Sequence, residues 1–224
     1  VATVRPDSTA AKPLRSRLSN PDRHAPEQIY LFEALRELAF ETCLEVAGST
    51  LRIGLAASQW QLEQARRLLE QLQPQHPPLE RLPSPELERV VALALHISPR
   101  QQRAQGVICL RRDNPAGLQL DLLHRPALDA LRARGARLVE VERLAFDQHI
   151  APEQLARPMI QALASTVADW DSTDILAECP RSHAGFYCSQ LGFKRLGKQT
   201  DAKRLLLCLS RKQLTRLQAS SSES

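Results

Sequence analysis

Two glutamates inside one apolar run are the first residues in the chain that could do chemistry. The segment Leu138-Val-Glu140-Val-Glu142-Arg143-Leu-Ala-Phe146 reads as a strand. Ideal period-two alternation puts Leu138, Glu140, Glu142, Leu144 and Phe146 on one face, and Val139, Val141, Arg143 and Ala145 on the other. A carboxylate drawn into apolar surroundings has its pKa raised toward neutrality. That is the property needed to take a proton from an amine or to anchor one. The competing reading is structural, with both glutamates pairing with nearby arginines at a wet sheet edge. Alternation sets Arg143 opposite Glu140, so either a bulge intervenes or Arg143 serves the structure.

A second stretch follows: Asp174-Ile-Leu-Ala-Glu-Cys179-Pro-Arg181-Ser182-His183-Ala-Gly-Phe186-Tyr187-Cys188-Ser-Gln-Leu-Gly192-Phe193. It reads as a strand ended by proline, then a short helix from about Ser182 to Gln190 bearing an aromatic pair, then Leu-Gly-Phe. His183 falls at the helix start, where exposure to solvent and contact with a substrate are both open.

The elements that must position these residues come from hydrophobic periodicity. Residues 1–26 lack periodicity and are expected to be a disordered leader. Tyr30, Leu31, Ala34, Leu35, Leu38, Ala39, Thr42 and Val46 recur at helical spacing, so an amphipathic helix is expected over 27–50. The region 51–210 alternates between strands and helices. Leu51–Ala56 is a strand and Ser58 caps the helix that follows, after which comes a proline-rich connector from Gln73 to Pro85. Val90–Ile97 and Gln105–Arg111 read as a long hairpin. A helix from Pro126 to Arg134 ends at Gly135, and the strand Arg137–Phe146 follows. A helix over Pro152–Trp170, kinked or restarted at Pro158, crosses to the strand Asp174–Cys179, and Lys203–Ser210 closes the sheet. Residues 211–224 are expected to give a helical turn and a frayed tail. The fold class is therefore α/β: a mixed, mostly antiparallel central sheet flanked by helices.

Composition narrows the function classes. The 224 residues carry 30 Lys+Arg against 25 Asp+Glu, a formal charge of +5. The cations are scattered, and aromatics make up 4%, which argues against a nucleic-acid stripe or a base-stacking platform. The five cysteines, at 43, 109, 179, 188 and 208, include no C-x-x-C pair, so no metal site is expected, and most are expected to be buried thiols in a reducing compartment. No apolar run is long enough to span a bilayer, and the expectation is a cytoplasmic protein without nucleic acid or an integral membrane segment.

Taken together, the Glu140-x-x-Arg143-Leu-Ala strand, the preceding Leu131-Arg-x-x-Gly135 helix end and the His183-Ala-Gly-Phe-Tyr187 helix running to Gly192-Phe193 resemble the GNAT-type N-acyltransferase fold. Within it they look like the long-chain N-acyl amino acid synthases, cousins of the acyl-homoserine-lactone autoinducer synthases. The resemblance implies a transferase that moves a fatty acyl group from acyl carrier protein to the amine of an amino acid or similar small molecule, with no permanently bound cofactor. It implies catalytic roles for Glu140, as proton acceptor, and Arg143, as its partner, and substrate contacts from Glu142, His183, Phe186 and Tyr187. Cys188 stands where acetyl-CoA-dependent members carry a tyrosine, and Tyr187 stands one residue earlier.

The loop Phe146–Gln154 lacks the glycines with which acetyl-CoA users cradle a pyrophosphate, and it carries Asp147 and Glu153 instead. Such a loop suits a carrier-borne donor better than free acyl-CoA. Other positions depart from the family pattern. Ser182 is inserted before His183, the first helix has no aromatic in Ala65–Glu70, and Cys109 stands where relatives place an arginine. Paired aspartates of the kind that hold S-adenosylmethionine are absent. Two alternatives therefore stay open: an acetyl-CoA-dependent N-acetyltransferase, and a non-catalytic acyl- or lipid-binding module of the same fold.

Overall fold

The capping box begins the first helix. Ser58 Oγ accepts from the Gln61 N–H, and Gln61 Oε1 accepts in return from the Ser58 N–H, so two orphan donors at the helix start are satisfied. In the computed structural model, which describes residues 42–46, 49–75, 89–97, 102–197 and 203–219, this helix is α1 (Gln59–Leu72). It follows strands β1 (Thr42–Val46) and β2 (Ser49–Leu55). Next come β3 (Arg89–Ile97), β4 (Gln102–Arg112), α2 (Asp121–Arg132) and β5 (Leu138–Phe146). The crossover helices α3 (Pro152–Ala162) and α4 (Ala164–Asp169) lead to β6 (Asp174–Pro180). A 3-10 turn at Arg181–His183 opens α5 (Ala184–Gln190), and β7 (Lys194–Arg195), β8 (Arg204–Ser210) and α6 (Arg211–Ala219) complete the chain.

The eight strands form one sheet in the order β1-β2-β3-β4-β5-β6-β8-β7. All neighbours are antiparallel except β5 and β6, which run parallel and pair for three residues, Leu138 with Asp174, Val139 with Ile175 and Glu140 with Leu176. The helices α3 to α6 cover one face, burying Leu155, Met159, Ile160, Leu163, Tyr187 and Leu214 against Leu51, Ile53, Ile108 and Leu110. On the other face α1 packs over Leu93, Leu95, Val107 and Cys109, and α2 over Leu138, Leu176 and Leu206. Gly106 sits where a Cβ would meet Met159 Sδ at 2.7 Å, so its missing side chain lets α3 lie close on the sheet.

Several expectations need correction. The helix expected over 27–50 does not reach its C-terminal end, because Thr42–Val46 pairs antiparallel with β2, Leu44 lying opposite Leu51. The helical spacing of Thr42 and Val46 is coincidental. Leu44 is half-buried between exposed Cys43 and Glu45, a period of two, and Val and Thr favour a pleated surface. The remainder of that helix, the leader 1–26, most of the connector and the end of the tail lie outside the described residues.

The break in the crossover falls at Leu163, not at Pro158. There the chain tightens, the Leu163 N–H bonding the Ile160 carbonyl before Val167 bonds back to Leu163. The helix expected from Pro126 gains an extra first turn. Residues from Asp121 lead into a kink at His124 (φ −126°, ψ 18°), and Pro126 begins the straight segment. Gly135 adopts φ 80° just past its end, as its place in the sequence requires. The two-residue edge strand β7 gave no periodic signal, and α6 extends through Ala219, where fraying was expected from Gln218.

The first turn of α2 is tied down by Arg132. Its guanidinium bonds both oxygens of Asp113 (2.7 and 3.0 Å) and both of Asp121 (2.7 and 2.8 Å). Arg132 holds the Asp121 carboxyl below the usual range. Arg132→Met should therefore lower stability at neutral pH by about 2 kcal/mol, measured by urea unfolding, and speed amide exchange across 113–124. Because the Asp121 pKa is depressed on folding, the loss should shrink as pH falls below about 4.

Candidate functional site

Glu140 occupies the last paired position of β5 before the sheet opens toward β6. The strand is bulged at the same place. Cys109 lies opposite Arg143 and Leu110 opposite Val141, so Glu142 is the extra residue. The bulge restores Arg143 to the face that Glu140 occupies, and ideal alternation could not show this. That face looks toward α1 and α2, not toward a wet edge: Glu140 is 3% exposed and Glu142 9%.

Glu142 is ion-paired. Arg89 Nη2 lies 2.8 Å from its Oε1, and Arg111 Nη1 lies 3.7 Å from the same oxygen. Arg111 also donates from Nη2 to the Gly117 carbonyl at 2.8 Å, and Arg143 Nη1 donates to the Glu142 carbonyl at 2.9 Å. Glu140 is held differently. Its Oε2 accepts from the Leu120 N–H at 3.4 Å, and the backbone at Gln119 also favours its charged form. These contacts are weaker than what opposes them. Burial, reinforced by the neighbouring Glu142 charge, pushes the Glu140 carboxyl up to about 7. Cys109, beside Glu142, Arg143 and Arg89, is fully buried, and burial pushes its thiol up as well, so it stays neutral.

The other three residues singled out in the sequence lie elsewhere. Phe186 and Tyr187 belong to the opposite face, in an edge-to-face series that runs from Phe146 through Phe186 and Tyr187 to Phe193, with centroids 6.5, 5.7 and 5.7 Å apart. Tyr187 is buried, and burial keeps its phenol protonated. His183 is exposed on the 3-10 turn. The structure thus gathers Glu140, Glu142 and Arg143 on one side of the sheet and the aromatic pair on the other.

Arg89, His124 and Glu178 were not singled out. His124 Nε2 meets Glu178 Oε1 at 2.7 Å, and Glu178 also pairs with Arg204, which ties the kink of α2 to β6 beyond its last pairing with β5. Arg111 carried a usable signal, an arginine two residues after Cys109, where the family pattern expects one. Arg89 carried none.

In the loop after β5, Asp147 is buried and its Oδ1 accepts from the His149 N–H. The N–H groups of Asp147, Ile150 and Gln154 bond the carbonyls of Gln105, Asp147 and Ala151. Pro152 opens α3 without an N–H, and Glu153 adds a negative charge to its first turn. Asp147 also faces Arg103, whose Nη1 lies 3.7 Å from its Oδ2. Among the described residues no helix is long and apolar enough to cross a membrane.

The sequence model of the N-acyl amino acid synthase FeeM matches residues 86–208. Among solved structures, FeeM, an N-acyl amino acid synthase from uncultured soil microbes, superposes with a TM-score of 0.60 at 18% identity, over 79% of this chain and 96% of that one. The GNAT domain of S. lividans PAT gives 0.49 at 14% identity, covering 75% and 96%. The AHL synthase LasI gives 0.46 at 15%, covering 72% and 89%. No curated protein matches the chain's sequence.

The Glu140 carboxyl is raised from 4.5 to about 7 on folding. The folded protein therefore loses stability as pH rises from about 4.5 through 7, where the unfolded chain already carries the charge at no cost. Glu140→Gln removes this penalty. Its melting temperature should match the parent near pH 5 and exceed it by at least about 3 °C at pH 8, read by differential scanning fluorimetry.

Proposed function

The chain belongs to the N-acyl amino acid synthase FeeM family, whose model covers more than half of its 224 residues, and from that premise we propose that it acylates the amine of an amino acid with a fatty acyl group carried by acyl carrier protein. It is an N-acyltransferase of mixed α/β GNAT-like fold. The observation that carries the reading is Glu140: a dry carboxylate poised near neutral pH, at the point where β5 and β6 part.

In the reaction Glu140 accepts a proton from the acceptor ammonium, directly or through water. The free amine attacks the thioester carbonyl. Beyond Glu140 the β6-facing amides of β5 are not taken into the ladder, and these suit the oxyanion of the tetrahedral intermediate. Collapse breaks the carbon–sulfur bond, the second proton of the attacking nitrogen passes to the departing sulfur, and the amide remains. Glu142, held by Arg89 and Arg111, lies beside Glu140, and its charge raises the affinity of Glu140 for the proton. Arg143 fixes the bulge through the Glu142 carbonyl. The aromatic series and the apolar helices of the opposite face offer the surroundings an acyl chain requires.

A carrier-borne donor is supported by the loop after β5. A pantetheine arm on a carrier brings a single phosphodiester, which needs fewer backbone donors than the pyrophosphate of coenzyme A.

Glu140→Gln should lower turnover about 10²- to 10⁴-fold with the fold intact, and N-acyl amino acids seen by mass spectrometry in lipid extracts of cells expressing the parent should vanish with the variant. Identical profiles would end the assignment. The rate at limiting substrate should rise with pH through about 7 as Glu140 loses its proton, then level off. Calorimetric titration with coenzyme A separates the donors: micromolar affinity would replace the carrier by acyl-CoA.

A further inference from the structure

The proton that travels from the attacking nitrogen to the departing sulfur needs a carrier. Glu140 has by then taken the first proton and cannot take the second. The carrier has to stand at the gap between β5 and β6, on the face where Glu140 stands.

His124 and Glu178 meet that description. Glu178 lies two residues beyond Leu176, the residue paired with Glu140, so it shares the α2-facing side of β6 about 7 Å along the strand. Its strand is fixed from the other edge, Glu178 lying opposite Leu206 of β8. His124 reaches the gap from α2. The Leu120 N–H points at Glu140 Oε2, and the His124 N–H bonds the Leu120 carbonyl at 2.8 Å, so the imidazole starts one turn, about 6 Å of rise, from the base. Bracing is not what this turn lacks, since Arg132 already holds it through Asp113 and Asp121.

The pair has the form of an oriented base. His124 Nε2 meets Glu178 Oε1 at 2.7 Å, and Glu178 Oε2 accepts from Arg204 Nε. A carboxylate accepts on both oxygens, so the ring hydrogen belongs on Nε2 and Nδ1 keeps its lone pair. A carboxylate that fixes the tautomer and angle of an imidazole is what makes histidine a proton carrier in the serine hydrolases. The His124 and Glu178 side chains are 15% and 11% exposed, shielded from bulk water but not sealed from a ligand.

We infer that His124 is a catalytic residue that carries the second proton: Nδ1 takes it from the attacking nitrogen as the carbon–nitrogen bond forms and gives it to the sulfur as the carbon–sulfur bond breaks. Glu178 is its positioning residue. The count of protons closes. Of the three on the acceptor ammonium, one goes to Glu140 and from there to water, one reaches the thiol through His124, and one stays on the amide. The imidazole ends as it began. This rests on the amine-acylation reading and adds to it the group that serves the leaving sulfur.

The test varies the leaving group, because a sulfur that departs readily as thiolate needs no proton. The donors are dodecanoyl–acyl carrier protein and the dodecanoyl thioester of 4-nitrothiophenol, and the acceptor is whichever standard amino acid the parent acylates fastest. His124→Gln keeps an N–H for Glu178, and with it the tie between α2 and β6, but relays no proton; circular dichroism would verify its folding. With the carrier donor its kcat should fall about 10²-fold or more at a KM within about twofold of the parent, and with the aryl donor its kcat should stay within about threefold. Glu178→Gln, whose amide can donate to Nε2 and turn the tautomer over, should show the same pattern. Glu140→Gln, which acts before the attack, should lose rate with both donors. A His124→Gln loss equal for the two donors, or no loss with the carrier donor, would overturn the inference. Nitrogen-15 NMR of histidine-labelled protein reads the tautomer without turnover. The His124 ring, identified by its disappearance in His124→Gln, should carry hydrogen on Nε2, and hydrogen on Nδ1 alone would overturn the inference too. Absence of product from the parent with both donors would strike the amine-acylation reading itself, and the proton-carrier role with it.

Discussion

The centre of this sheet is organised by the need to keep the Glu140 carboxyl dry beside a second glutamate. Two carboxylates so close cannot both ionise cheaply in a medium of low polarisability, and their environments resolve the conflict by separating their roles. Glu142 takes the ion pairs with Arg89 and Arg111. Glu140 is left with long backbone contacts from the first turn of α2 and is the group whose proton affinity rises. Removing either arginine would alter both glutamates, since the charge that Glu140 feels is the charge the arginines hold in place.

That chemistry depends on a local failure of regular structure. A strand paired evenly on both sides would alternate Glu140 and Arg143 to opposite faces and would leave no backbone donors for a ligand. The bulge at Glu142 and the end of the β5–β6 pairing at Glu140 lie within two residues of each other. An extra residue increases twist and bends the strand away from its partner. The loop that follows continues the divergence, its buried Asp147 tying the chain back to β4 through the Gln105 carbonyl. On the far face the Phe146–Phe186 contact spans from the end of β5 to α5, so the gap is closed by aromatic packing on one side and lined by charge on the other.

Much of this was legible in the sequence where the signal is local. The Ser58 cap, the strand that carries Glu140 and Glu142 and the Gly135 helix stop each depend on residues within a few positions of one another. What escaped was set by long-range contact. Arg89 and Glu142 are 53 residues apart and His124 and Glu178 are 54 apart, and no spacing rule connects them. The bulge escaped because its cause is pairing with β4, not any property of the Val-Glu-Arg triplet. The strand Thr42–Val46 was misread for the same reason. Its apolar positions fit a helix as well as a strand, and only β2, a tertiary partner, decides.

The cluster is also costly to keep. Buried ion pairs are commonly replaced by well-packed apolar side chains without loss of stability, so packing alone does not account for three arginines and two glutamates inside a small sheet. A folded state that leaves Arg89 Nε, Arg111 Nε and Glu142 Oε2 without partners forgoes stability it could have had. Reaction centres in general accept such a cost, because groups already fixed and desolvated need not reorganise when a charge develops. On this argument the chain's overall +5 says little, being spread over a solvated surface where salt screens it. The charges that matter are Arg89, Arg111 and Glu142, buried together between β3, β4 and β5, where little solvent screens them.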